Sequence, residues 1–151
     1  MGRGLRVDRR PAGCLRWHTT LAAVYSFTLI GCANPLEPSA ARLDQTFTLS
    51  PGGAAVVEGE NLQGGFDQVL SDSRCPTGAQ CIVAGEATVR IWLVKAPRGR
   101  ENVELKTTTS ASQATYDTYR VSLVTVTPSP EVGRTIQPSD YVVTMLVTRS
   151  P

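Results

Sequence analysis

Gly85-Glu86-Ala87-Thr88-Val89-Arg90-Ile91-Trp92-Leu93-Val94-Lys95 decides the fold. Ala87, Val89, Ile91 and Leu93 alternate with Glu86, Thr88, Arg90 and Trp92, the period of two that turns one face of a strand to a core and the other to water. An amphipathic helix would repeat its apolar residues every three to four positions, and nowhere in the chain after residue 43 does that period last two turns. Downstream, Pro97-Arg98-Gly99 reads as a hairpin turn into Val103 and Leu105. A polar run from Thr107 to Gln113 leads to a strand from Tyr116 to Val126, with Tyr119, Val121 and Leu123 inward and Pro128 and Pro130 ending it. Tyr141 to Thr148 is apolar on both faces, as expected of a central strand or of one at a subunit contact.

Upstream, Leu62 to Leu70 reads as a strand whose Gly64-Gly65 pair signals a bulge or a close backbone approach. Its alternation slips between Phe66 and Val69. Ala54 to Glu58 precedes it, after a Pro51-Gly52-Gly53 turn, and Asp44 to Leu49 sets Phe47 and Leu49 on one face. About seven strands separated by turns, without crossover helices, predict an all-β domain over residues 44–151. The expected form is an antiparallel β-sandwich of immunoglobulin-like architecture, with a small barrel as the alternative.

The N-terminal segment has a different character. Arg3, Arg6, Arg9, Arg10 and Arg16 oppose a single acid, Asp8, and lead into the ten apolar-rich residues Leu21 to Ile30. A run of that length fits the core of a signal peptide, roughly 7–15 residues, and falls short of the roughly 20 that a membrane-spanning helix needs. Leu29-Ile30-Gly31-Cys32 then resembles the processing site of bacterial lipoprotein signal peptides. The resemblance covers residues 1–32. It implies cleavage of residues 1–31, fatty acyl chains such as palmitate on Cys32, and a lipid-anchored tether over residues 32–43, which holds Pro35 and Pro38. Ala33 after the cysteine resembles the signal for sorting to the outer membrane. The alternatives are an ordinary secretory signal with an incidental Cys32, and a twin-arginine route at Arg9-Arg10, for which Pro11-Ala12-Gly13 lacks the apolar residues wanted.

Removing 31 of 151 residues leaves 120, enough for one domain with a core. Five of the fifteen basic residues and one of the thirteen acids go with the signal, so the mature chain carries ten against twelve, a net charge of −2. The basic balance therefore belongs to the signal, and nucleic-acid binding has no support. The single histidine, His18, is removed too, which argues against Ser-His-Asp and Cys-His catalysis and against the common histidine-containing zinc sites.

With Cys14 removed and Cys32 carrying lipid, Cys75 and Cys81 are left as an even pair in an oxidising exported compartment, so a disulfide is expected. A redox or metal-binding pair is the alternative. Asp72-Ser73-Arg74-Cys75-Pro76, followed by Cys81, Ala84-Gly85-Glu86-Ala87 and the Tyr119 to Pro130 strand and turn, resembles a group of uncharacterised bacterial lipoproteins. That resemblance spans most of residues 62–148 and implies fold more than activity; Val83 stands where members of the group often carry Trp. Asp72 and Arg74 can pair or cap backbone amides to brace the loop, or can present it, with Pro76 and Gln80, to a ligand or partner. Trp92 points away from Ile91 and Leu93, to cover an edge or to anchor a partner. Lys95, Arg98 and Arg100 crowd one hairpin, either as solvated charges that discourage edge pairing or as a contact for phosphate-bearing envelope polymers or lipid head groups. Asp67, Asp72 and Glu86 are candidate calcium oxygens, but no aspartate-rich calcium repeat accompanies them.

These residues together predict a membrane-anchored envelope lipoprotein acting as a non-enzymatic binding or structural module, held by its N-terminal lipid and contacting an envelope protein or polymer. The alternative is an inhibitor or accessory protein that engages an exported protein, a peptidase among the candidates, through the 75–81 loop. An enzyme ranks third, and no cofactor or metal is expected.

Overall fold

A computed structural model describes residues 37–108 and 111–151. The signal segment, Cys32, Ala33 and the first part of the tether lie outside the described residues. Nine strands follow in order: β1 (Ser39–Ala41), β2 (Thr46–Leu49), β3 (Ala54–Val57), β4 (Leu62–Asp72), β5 (Ala87–Lys95), β6 (Arg98–Lys106), β7 (Gln113–Tyr116), β8 (Tyr119–Thr127) and β9 (Val142–Arg149). One 3-10 turn, Pro138–Asp140, precedes β9.

The strands form a five-stranded sheet, ordered β1-β3-β4-β5-β6, and a four-stranded sheet, ordered β2-β9-β8-β7. Every pairing is antiparallel except β1 with β3. The two sheets stay separate, so the all-β expectation holds as a sandwich and the barrel alternative does not. Phe66, Val89 and Ile91 of one sheet and Val121 and Val143 of the other have no exposed surface, and they belong to a single core cluster. The crevice between Phe47, Leu62, Leu93, Met145 and Val147 is a cavity of about 10 Å³, room for one water at most.

Two strands exceed the seven expected. The run from Tyr116 to Val126 breaks at Asp117, whose φ of +56° starts a tight turn and separates β7 from β8. The other extra strand corrects the tether. Ser39–Ala41 pair with β3, Ala41 is 3% exposed, and Leu43 packs on the core, so this end of the 32–43 stretch belongs to the sheet. Apolar Ala41 and Leu43 alternate across polar Arg42, a strand signal that nearby Pro38 and the small residues obscure.

Elsewhere the local chemistry acts as its residue types require. β4 carries bulges between Phe66 and Gln68 and between Val69 and Ser71, where the alternation slips. A Cβ on Gly65 would lie 2.3 Å from the Trp92 ring, so the indole of β5 lies across the bare backbone of its neighbour. β9 runs between β2 and β8, the interior position its two-sided apolar pattern calls for. The chain turns from β5 to β6 at Ala96-Pro97, one residue before the expected Pro97-Arg98-Gly99 turn.

Candidate functional site

Past β4 and before β5 the chain continues as two arms that stay paired. The Ser73 amide donates to the Glu86 carbonyl (2.9 Å) and the Cys75 amide to the Ala84 carbonyl (2.9 Å). The Ser73 hydroxyl donates to the Glu86 carbonyl (3.0 Å) and accepts from the Glu86 amide (3.1 Å). Gly85 makes this approach possible: its φ is +65°, and a Cβ there would fall 1.8 Å from the Ser73 carbonyl oxygen. Beyond the paired arms, Cys75 and Cys81 are joined by a disulfide with 5.9 Å between their Cα atoms. The Ala79 amide donates to the Pro76 carbonyl (3.0 Å), closing the turn between them.

This loop is tied to the loop after β8, through Thr77 N–H to the Pro130 carbonyl (2.8 Å) and Val132 N–H to the Thr77 carbonyl (3.2 Å). Pro76 is half-buried at the base of the turn, and Gln80 is exposed. Ile82 and Val83, on the arm that returns toward β5, are 103% and 76% exposed, and Val132 is 64% exposed.

Asp72 and Arg74 pair, but what they brace is the contact between the two sheets. Arg74 donates from Nε and Nη2 to the two Asp72 oxygens (2.8 and 2.6 Å), a bidentate arrangement with 16% and 8% of the side chains exposed. The remaining guanidinium hydrogens reach across to the Val126 carbonyl (2.5 Å) and the Pro128 carbonyl (2.8 Å) at the end of β8. The Tyr141 hydroxyl donates to Asp72 from the other side (3.2 Å). Burial alone would raise the Asp72 pKa; the Arg74 hydrogen bonds and charge, with the Tyr141 hydroxyl, outweigh it and hold the carboxyl below the usual aspartate value. Burial and the Asp72 charge push the Tyr141 phenol up. Asp72, Tyr141, Pro130, Arg134 and Ile136 line a shallow concavity beside the clamp.

Glu86 is committed as well. It pairs with Lys106 and accepts from the Thr108 hydroxyl (3.0 Å), and these contacts keep it below the usual glutamate pKa. With Asp72 bound to Arg74 and Glu86 to Lys106, the three acids considered for calcium do not converge. Among the described residues, no three His, Cys, Asp or Glu side chains are grouped as metal ligands.

Trp92 is not part of the loop site. It lies five residues along β5 from Ala87, half-buried on the outer face of the five-stranded sheet, with the Arg100 guanidinium 4.4 Å from its ring centroid. Arg98 similarly lies 5.3 Å over Tyr116. The hairpin charges are therefore seated on aromatic faces. Lys95 departs from the solvated amine expected of it: it donates to Asp117 (2.7 Å) and to the Tyr119 hydroxyl (3.3 Å), with its side chain 23% exposed. Its pKa is raised, chiefly by the Asp117 hydrogen bond. Tyr119 in turn donates to Glu60 (2.6 Å), which also accepts from Arg149 (2.6 Å). This chain of contacts closes the end of the sandwich opposite the disulfide loop.

The sequence reading missed the Ile82-Val83 tip, the Tyr141 contact and the Glu60 network. Two apolar residues directly after Cys81 signalled the tip; the other two depend on pairings between distant strands that no local pattern reveals. Comparison of the chain with protein-family models, with curated proteins and with solved structures found no match.

Proposed function

We propose that the chain is a lipid-anchored envelope lipoprotein whose sandwich acts as a non-enzymatic binding or structural module, with the disulfide-loop end as its contact surface. The observation that carries this reading is the exposed Ile82-Val83 tip, on a loop held by the Cys75–Cys81 bond, the Ser73–Glu86 pairing and the hydrogen bonds of Thr77 to the loop after β8. Fixing a loop before it meets its partner lowers the ordering cost of binding. Leu29-Ile30-Gly31-Cys32 supports the lipid anchor.

The electrostatics favour structural roles for the acids. A general acid at neutral pH needs a carboxyl whose pKa is raised. Asp72, Glu60, Glu86 and Asp117 all move the other way: the Tyr119 hydroxyl, then Arg149, hold Glu60 ionised, and hydrogen bonds from Arg74, Lys106 and Lys95 do the same for Asp72, Glu86 and Asp117. The alternative, an inhibitor or accessory protein acting through residues 75–81, draws on the exposure of Thr77 to Gln80.

Crosslinking in intact envelopes followed by affinity capture of the full chain tests the binding reading. Adducts should map to residues 76–83 or to Val132. Adducts confined to β6 or to the Glu60–Arg149 end would overturn the assignment of the surface. Hydrolysis of a peptide, ester, phosphate or glycoside substrate that disappears on Asp72→Asn or Glu86→Gln would overturn the non-enzymatic reading.

A further inference from the structure

The described chain enters the sandwich at β1, and the direction of entry bears on what the exposed tip can meet. β1 runs parallel to β3, with Ser39 in register with Ala55 and, through it, with Gly64 of β4. Glu37 and Pro38 therefore enter β1 from the same end of the molecule as the last residues of β4. From Gly64, β4 continues eight residues to Asp72, about 26 Å at strand rise and less across its two bulges. Cys32 lies seven residues before Ser39, a reach of about 25 Å at full extension. On the lipoprotein reading, an acyl chain on Cys32 keeps the bilayer within about that reach of Ser39, and the disulfide loop continues beyond Asp72 at the end from which the chain enters β1.

Two orientations satisfy so short a tether. The domain can rest on its β1 edge, or it can stand on its loop end. The edge offers Ser39, whose hydroxyl donates to the Ala54 carbonyl (3.2 Å), the exposed Arg42–Glu58 pair and one valine, Val56, 41% exposed. The loop end offers Ile82, Val83 and Val132. Branched apolar side chains leave water favourably for the boundary between headgroups and acyl chains, and an ion pair does not.

We propose that the Ile82-Val83 tip, with Val132 beside it, docks into the bilayer to which Cys32 is anchored, so that the module stands on its disulfide loop with the Glu60–Arg149 end facing outward. This inference rests on the lipoprotein reading above and names the partner of its contact surface as a lipid surface. The nearby charges include Glu131 and Arg134, 3.6 Å apart and of opposite sign, so attachment of the tip is apolar in character and insensitive to salt.

The full lipidated chain carrying Ile82→Trp, reconstituted in vesicles of phosphatidylethanolamine and phosphatidylglycerol with brominated acyl chains, tests the docking. Once the signal is removed, Trp92 is the one other tryptophan, and the unsubstituted protein supplies its emission as background. For a tip buried roughly 5–10 Å into the interface, the added emission should be blue-shifted and quenched about two-fold or more, at low and high salt alike. A chain that floats with the vesicles while the added emission stays water-like and unquenched overturns the docking and leaves the lipid anchor standing. A chain that does not float overturns both readings. Shielding that appears without vesicles and grows with protein concentration, or only on adding envelope proteins, overturns the docking in favour of a second copy or of a protein partner.

Discussion

Arg74→Met tests whether the Asp72–Arg74 pair clamps the two sheets. The substitution removes both bidentate contacts to Asp72 and the hydrogen bonds to the Val126 and Pro128 carbonyls, and keeps an aliphatic stem of similar length. Asp72, 8% exposed, then retains the Tyr141 hydroxyl and the residue-74 amide as partners. Removing one member of a buried pair costs about 3–5 kcal/mol. The clamp lies near the surface, with Arg74 16% exposed, so the lower end of that range applies, about 3 kcal/mol. For a domain of this size the melting temperature should fall by about 10–15 °C. Adding Asp72→Asn should recover about 1 kcal/mol or more, because the uncompensated charge is gone.

The pH dependence sharpens the same test. In the native protein the Asp72 pKa is depressed, so its contribution is present above the ordinary aspartate value near 3.8 and is lost as pH falls through the lower folded value. Without Arg74, burial governs and the pKa rises. The variant's penalty is then full at neutral pH and shrinks as pH falls through the raised value. Urea unfolding of the oxidised mature protein at pH 7 and at pH 3.5 measures both quantities. A loss below about 1 kcal/mol, the size of an exposed surface pair, or a difference that does not change with pH, would refute the clamp.

The Cys75→Ser/Cys81→Ser variant should lose about 2–3 kcal/mol by the ring-closure relation and match the native protein in reductant, as read by the urea midpoint. Gly65→Ala drives a methyl into the Trp92 ring and should cost about 1–3 kcal/mol, much of it recovered when Trp92→Leu is added; equal costs in the two backgrounds would show that the ring is not the obstacle. Gly85→Ala meets the Ser73 carbonyl oxygen at a positive φ and should cost about 3 kcal/mol, with faster protease cleavage between residues 75 and 85; native resistance to protease would contradict the role given to this glycine.

The fold was largely legible because a period of two is written wherever one strand face is buried. Ala87 to Leu93 and Tyr119 to Leu123 show it: the apolar residues the alternation selects are buried in both, although Thr88 and Ser122 on the opposite faces are covered too. The Gly64-Gly65 pair and the slip after Phe66 likewise foretold a close approach and a bulge. β1 was hidden because three residues carry too little periodicity to outweigh Pro38 and the small residues near it. The site was legible only in part. Asp72 and Arg74 stand two apart in a strand extension, so their pairing can be read locally. Their grip on the Val126 and Pro128 carbonyls joins residues more than fifty positions apart and depends on how the sheets stack. Trp92 looked available to a partner because its outward direction was legible, whereas Arg100 above it and Gly65 below it were not.

Intact-mass spectrometry of the chain purified from envelopes without reductant tests the central proposal most directly. The account predicts a polypeptide beginning at Cys32, heavier than its 120 residues by a thioether-linked diacylglycerol, and two hydrogens lighter for the Cys75–Cys81 bond. Conversion of Cys32 to Ala should leave a chain without acyl mass. A native chain recovered with an unmodified Cys32, or one beginning elsewhere, would contradict it.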